Sequence, residues 1–125
     1  MPNVTYSGAK GIVQSTGLGG FTLDGVGLAL DTETVALADD GALSGIGLSS
    51  VTSDGAHTGT IASPTAVAGA AGQTKVVHKT TAPGTVQLAD ANGALAGMLL
   101  NAEGDYALLV WTSTAWLPVA SKITA

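Results

Sequence analysis

Four tight-turn dipeptides, Asp24-Gly25, Asp40-Gly41, Asp54-Gly55 and Asn92-Gly93, cut this chain into short runs. Gly, Asn and Asp accept positive φ cheaply, so each dipeptide marks a place where the backbone reverses or bends sharply. Glu103-Gly104-Asp105 is a weaker signal of the same kind. The runs between are rich in Val, Leu, Ile and Thr, and several alternate: Thr34-Val35-Ala36-Leu37, Lys75-Val76-Val77-His78-Lys79 and Thr85-Val86-Gln87-Leu88. Alternation at period two fits strands and not helices. The best helical candidate, Pro64 to Gly72, contains two glycines that cost about 1 kcal/mol each relative to Ala. It is a linker or a brief turn. The expected fold is all-β, with short antiparallel strands in a sandwich or barrel-like domain.

The end of the chain is the most specific stretch. Gly104-Asp105-Tyr106-Ala107-Leu108-Leu109-Val110-Trp111 and Ala115-Trp116-Leu117-Pro118-Val119 flank the polar break Thr112-Ser113-Thr114. The break lets the second run fold back on the first. Both tryptophans of the protein sit here. Tyr106, Leu109, Trp111 and Trp116 are therefore expected in the core or at a subunit interface.

Only 10% of residues are charged and 4% are aromatic. An ordinary soluble domain carries about 25% charged residues. Small side chains contribute little buried area each. Much of the surface is thus expected to be subunit interface in a homo-oligomer. The net charge is −5 and arginine is absent. Four basic residues cannot track a phosphate backbone, so nucleic acid is not expected as a partner, nor is a membrane through a polybasic patch. With no cysteine, disulfides and thiolate metal sites are excluded. Met1-Pro2-Asn3-Val4-Thr5-Tyr6 shows no signal-peptide pattern, and Asn3-Val4-Thr5 fits a glycosylation tripeptide with no sign of a secretory route.

Two stretches are alike. Residues 35–45 and 86–97 both follow V-x-L-A-D, a turn glycine, then A-L-x-G. This predicts two similar hairpin units, each a strand, a tight turn and a return strand. A solenoid needs at least three copies at a fixed period, and two are visible. The chain divides into an N-terminal arm (1–20) and a β domain (21–125). The domain comprises a first β segment (21–63), a connection (64–74) and a second β segment (75–125) holding the Trp hairpin.

Catalytic constellations are not apparent. Gly17, Gly19 and Gly20 lack the third glycine and the βαβ context of a dinucleotide site, and Gly69 to Lys75 lacks the ending of a phosphate loop. Asp54 and His57 could meet in a turn, which is the usual outcome for such spacing. His78 is expected exposed or at an interface, a metal ligand only if a trimer axis gathered three copies. Asp24, Asp39 and Asp40 show no calcium-loop spacing. No catalytic, cofactor or metal residue is assigned, and no enzyme activity is expected.

Lys75-Val76-Val77, Thr80-Thr81-Ala82-Pro83-Gly84, Thr85-Val86-Gln87-Leu88, the run Gly104 to Trp111 and Ala115-Trp116 together resemble a module of tailed-bacteriophage virion proteins. That module occurs in head-decoration proteins and in distal tail-fibre domains. The resemblance spans residues 75–119; the N-terminal half matches only in style. It implies a homotrimeric β-protein on the virion that contacts the major capsid protein. On this reading the arm grips the capsid through Val4, Tyr6, Ile12, Val13 and Leu18, and the trimer decorates and stabilises the shell. The alternative implied by the same motifs is a tail-fibre or receptor-binding tip. A designed or consensus β-protein is a further reading, suggested by the simplicity of the sequence.

Overall fold

The computed structural model describes residues 31–45, 47–64 and 71–125. The proposed arm 1–20, with Val4, Tyr6, Ile12, Val13 and Leu18, lies outside the described residues, as does the Asp24-Gly25 turn. Among the described residues nine strands follow in order: β1 (Thr32–Leu37), β2 (Gly41–Leu43), β3 (Gly47–Ser53), β4 (Ala56–Ile61), β5 (Thr74–Lys79), β6 (Thr85–Asp90), β7 (Gly93–Leu100), β8 (Tyr106–Trp111) and β9 (Trp116–Lys122). They build two mixed sheets, ordered β1-β3-β5-β8-β9 and β2-β4-β6-β7.

Successive strands of the first two-thirds change sheet at every step. β1, β3 and β5 run parallel in one sheet, and β2, β4 and β6 run parallel in the other. Each pair of strands is one coil, and three coils stack by parallel pairing. Parallel neighbours need a long crossover, and here the strand in the facing sheet supplies it. The corners continue the stacking: Leu48 N donates to Asp31 O (2.7 Å), Ala62 N to Leu43 O (2.9 Å) and Thr85 N to Gly55 O (2.9 Å).

Gly47 explains one corner. Its φ is +64°, and an added Cβ would lie 1.9 Å from the Asp31 carbonyl oxygen. Only glycine lets the second coil turn this close to the first. The third coil does not repeat the spacing of the second. Thr32 pairs with Leu48, sixteen residues on, but Gly47 pairs with Lys75, twenty-eight on, because the connection after β4 intervenes.

The winding then ends in antiparallel strands. β7 returns along β6, β8 lies along β5, and β9 folds back on β8. The inward residues of both sheets meet in one apolar cluster, including Leu37, Leu43, Val51, Ile61, Val77, Leu88, Leu100, Leu109, Trp111 and Trp116.

Several expectations change. The fold is all-β, but its sheets are mixed and not closed into a barrel, and six of its nine strands lie in parallel ladders. The coils form a short solenoid-like winding although their sequence period is irregular. The two similar stretches are not equivalent units. In 35–45 the strands β1 and β2 belong to different sheets, whereas in 86–97 β6 and β7 form a true hairpin. Asp40-Gly41 and Asp54-Gly55 are corners between facing sheets; Asn92-Gly93 is the hairpin turn. The first and second β segments contribute to both sheets.

Candidate interaction surface

The terminal hairpin forms as its sequence predicts, with Trp111 opposite Trp116. Alternation then fixes which side chains face out. Ala107, Leu109 and Trp111 point into the core, so Tyr106, Leu108 and Val110 point away from it. Trp116 is buried, and the neighbouring Leu117, paired with Val110, is outward. A register shift between Leu108 and Leu109 sets Leu109 against Pro118 and Leu108 against Ala120, leaving Val119 as the extra residue of a bulge.

The pairing carries this apolar face across the sheet. Leu48, Val76, Leu108 and Ala120 stand side by side on β3, β5, β8 and β9. Leu117 and Val119 are about half exposed, at 52% and 51%, and Tyr106 is 41% exposed. Ser50, His78, Tyr106 and Lys122 form the next row, a polar margin. Contiguous exposed apolar area with a polar rim is the usual character of an interaction surface. Of the four hairpin residues expected in core or interface, Leu109, Trp111 and Trp116 are buried in the core and Tyr106 is not. His78 is half-buried on the outward face of β5.

Two buried carboxylates hold β9, the strand that carries Leu117 and Val119. Asp90 accepts from Trp116 N (3.0 Å) and Asn92 N (2.8 Å), which fixes the start of β9. Asp105 accepts from Asn101 N (2.8 Å), Ala102 N (3.0 Å), Thr124 N (3.0 Å) and Thr124 Oγ1 (2.7 Å), which fixes its end. Burial disfavours the charged form of Asp105. Hydrogen bonds from Thr124, Ala102 and Asn101 outweigh it and hold the carboxyl well below the usual carboxylate range. In the sequence Asp105 belongs to a weak turn signal and Asp90 to the V-x-L-A-D stretch, and neither position by itself predicts a buried carboxylate.

A second polar group was not foreseen. Lys75 and Lys79, on the inward face of β5, are fully buried. Lys75 Nζ donates to Ser49 Oγ (2.6 Å) and Ser44 Oγ (3.3 Å) and lies 3.6 Å from Glu33 Oε1. Ser49 Oγ and Ser44 N both donate to the same Glu33 oxygen. Burial pushes Lys75 down, and the Glu33 charge partly offsets this. Burial acts against ionised Glu33 too, but Ser49, Ser44 and Lys75 hold its carboxyl below the ordinary value. Lys79 Nζ donates to the carbonyls of Thr81 and Pro83. Chemically these groups tie the three coils together: Glu33 is on β1, Ser49 on β3 and Lys75 on β5.

An open groove of about 510 Å³ lies at the corner end of the same sheet, lined by residues including Ala36, Thr52, Asp54, Thr81 and Pro83. His57 Nε2 sits 2.7 Å from Asp54 Oδ1, the turn contact their spacing suggested. Among the described residues no cluster of three or more His, Asp or Glu is placed to hold a metal ion. Compared with known protein families, with curated proteins and with solved structures, the chain matches none.

Proposed function

We propose that this chain is a structural virion protein of a tailed bacteriophage, a trimer that decorates the outer capsid surface and stabilises it. The observation that supports the reading best is the outward face of β8 and β9. The residues that carry the resemblance at the C-terminus split cleanly, with Trp111 and Trp116 inward and Tyr106, Leu108, Val110 and Leu117 outward. The inward set builds the core, and the outward set is a rigid apolar face for neighbouring subunits. A protein that binds only the assembled shell stabilises it by mass action. The arm 1–20 then makes the capsid contact, through Val4, Tyr6, Ile12, Val13 and Leu18.

Light scattering of the full chain tests the trimer: a mass near three times 12.1 kDa is expected. Deleting residues 1–20 is expected to leave three subunits per particle and to abolish binding to capsids. A truncated protein that still decorates particles overturns the role of the arm, and a monomeric full chain overturns the trimer. The second reading, a tail-fibre or receptor-binding tip, is favoured by the open groove beside Asp54 and Pro83 at the corner end of the sheet. It predicts that the purified protein binds host cells and competes with adsorption.

A further inference from the structure

The two lysines buried on the inward face of β5 have different partners. Lys79 Nζ donates to the carbonyls of Thr81 and Pro83, whereas Lys75 Nζ lies 3.6 Å from a carboxylate oxygen, Glu33 Oε1. The Lys75 side chain is fully buried and that of Glu33 is 30% exposed. To meet, they reach across β3, since Glu33 is on β1 and Lys75 on β5. Two more donors converge on the same Glu33 oxygen, Ser44 N (2.7 Å) and Ser49 Oγ. A backbone N–H and a hydroxyl aimed at one oxygen, with an amine beside it and little water, suit the tetrahedral intermediate of acyl transfer.

We propose that Lys75 and Glu33 condense in the folded protein, forming a side-chain amide between Lys75 Nζ and Glu33 Cδ that joins β1 to β5. One proton passes from the ammonium to the carboxylate, giving amine and acid. Burial favours these uncharged forms, and it pushes Lys75 down towards the free amine. Nζ then attacks Cδ, and the C–N bond forms. The negative charge of the intermediate rests on Oε1, held by Ser44 N–H and Ser49 Oγ–H. The other oxygen, already carrying one proton, takes a second from Nζ and leaves as water. The charge on Oε1 returns to the carbon, and one hydrogen stays on the amide nitrogen. Ammonium and carboxylate thus become amide and water, with no oxidant or co-reactant.

The surroundings fit the reaction. Holding amine and carboxyl together in one geometry replaces an encounter between separate molecules. Ser49 and Lys75 are fully buried, which slows hydrolysis of the product. A hollow of about 280 Å³ lined by Asp31, Thr32, Glu33 and Ser44 gives the released water a way out. The chain has no cysteine, so an amide is the covalent tie these residues can make. A link between positions 33 and 75 restricts the unfolded chain as a disulfide of that span does. It also joins the first coil to the third through a bond that denaturants do not break. The inference is independent of any role on a virion.

Intact-mass spectrometry of the full chain in denaturant tests it. The folded and aged protein is expected to weigh less than its sequence by one water. Fragmentation of a digest is expected to place the loss on a branched peptide holding Glu33 and Lys75. A folded protein that keeps its full sequence mass overturns the proposal. Asp-Gly pairs can lose a water by closing to an imide, so a loss mapped to Asp40-Gly41 or Asp54-Gly55 overturns it too. Lys75→Met is expected to keep the sequence mass, and if that variant does not fold, Lys75→Arg is expected to do the same. Either variant losing a water at Glu33 overturns the role of Lys75. Ser49→Ala, followed from the time of synthesis, is expected to condense roughly 100-fold more slowly than wild type. An unchanged rate overturns the place of Ser49 in the reaction.

Discussion

Trp111 and Trp116 meet edge to face across the last hairpin, with ring centroids 5.4 Å apart and planes inclined at 61°. This relationship joins two parts of the fold. Trp116 also donates its indole N–H to the carbonyl of Ala62 (3.0 Å), just after β4 in the other sheet. The hairpin is thereby pinned across the core as well as along its own ladder.

Replacing Trp116 separates those two links. Trp116→Ala is expected to cost about 4 kcal/mol, a buried aromatic lost with a cavity left behind. Trp116→Phe keeps an aromatic edge against Trp111 and loses the bond to Ala62, for a cost of about 1 kcal/mol. Urea unfolding midpoints measure both, and equal costs would count against the ordering.

Asp105 gives the fold an acid sensitivity. Its carboxyl is held below its unfolded value, so its contribution is fully present above about pH 4 and is lost as pH falls further towards the folded value. Asp105→Asn is expected to lower stability by about 2 kcal/mol at pH 7 and to flatten the decline between pH 4 and pH 2. Thermal melts at pH 7 and at pH 3 check it: the gap between wild type and variant should shrink at the lower pH.

Two glycines with positive φ should respond differently to alanine. At Gly47 the new Cβ would collide with the Asp31 carbonyl, whereas at Gly93 (φ +119°) nothing lies within 4 Å. Gly93→Ala pays conformational strain alone, about 1 to 2 kcal/mol. Gly47→Ala adds a backbone displacement between coils, and a cost above about 3 kcal/mol is expected. Chemical denaturation of the two variants under the same conditions measures the difference.

The outward face can be charged without touching the core. Leu117→Lys is expected to change the unfolding midpoint by no more than about 0.5 kcal/mol in equivalent stability. Under the proposed assembly it lowers the mass seen by light scattering, because an exposed apolar contact becomes a buried unpaired charge. An unchanged oligomer would place the subunit contact elsewhere.

The parts of this fold that local chemistry decides were legible in the chain. The Thr112-Ser113-Thr114 break and Asn92-Gly93 both produce the reversals they predict. Asp40-Gly41 and Asp54-Gly55 were legible as bends but not as corners. The same dipeptide can return a strand to its own sheet or send it into the facing one, and only contacts far along the chain choose. Alternation in Lys75-Val76-Val77-His78-Lys79 likewise predicts a strand without saying which face is inside. Hydrophobicity would bury Val76 with its alternate partner His78; instead the lysines go in, because Glu33, Ser49 and the Thr81 and Pro83 carbonyls await them. The interaction surface was half legible for the same reason: the terminal run marks a strand pair, but Tyr106 sorts to the outside only once Ala107 is seen in the core.

The antiparallel finish has a consequence for how copies of this protein can meet. A parallel winding is an open-ended template, able in principle to continue from one molecule into the next as a fibre. Here the last strand of the larger sheet is interrupted by a bulge and carries Pro118, which has no amide hydrogen to offer a newcomer. That edge of the larger sheet is therefore a poor template for a further strand from another copy.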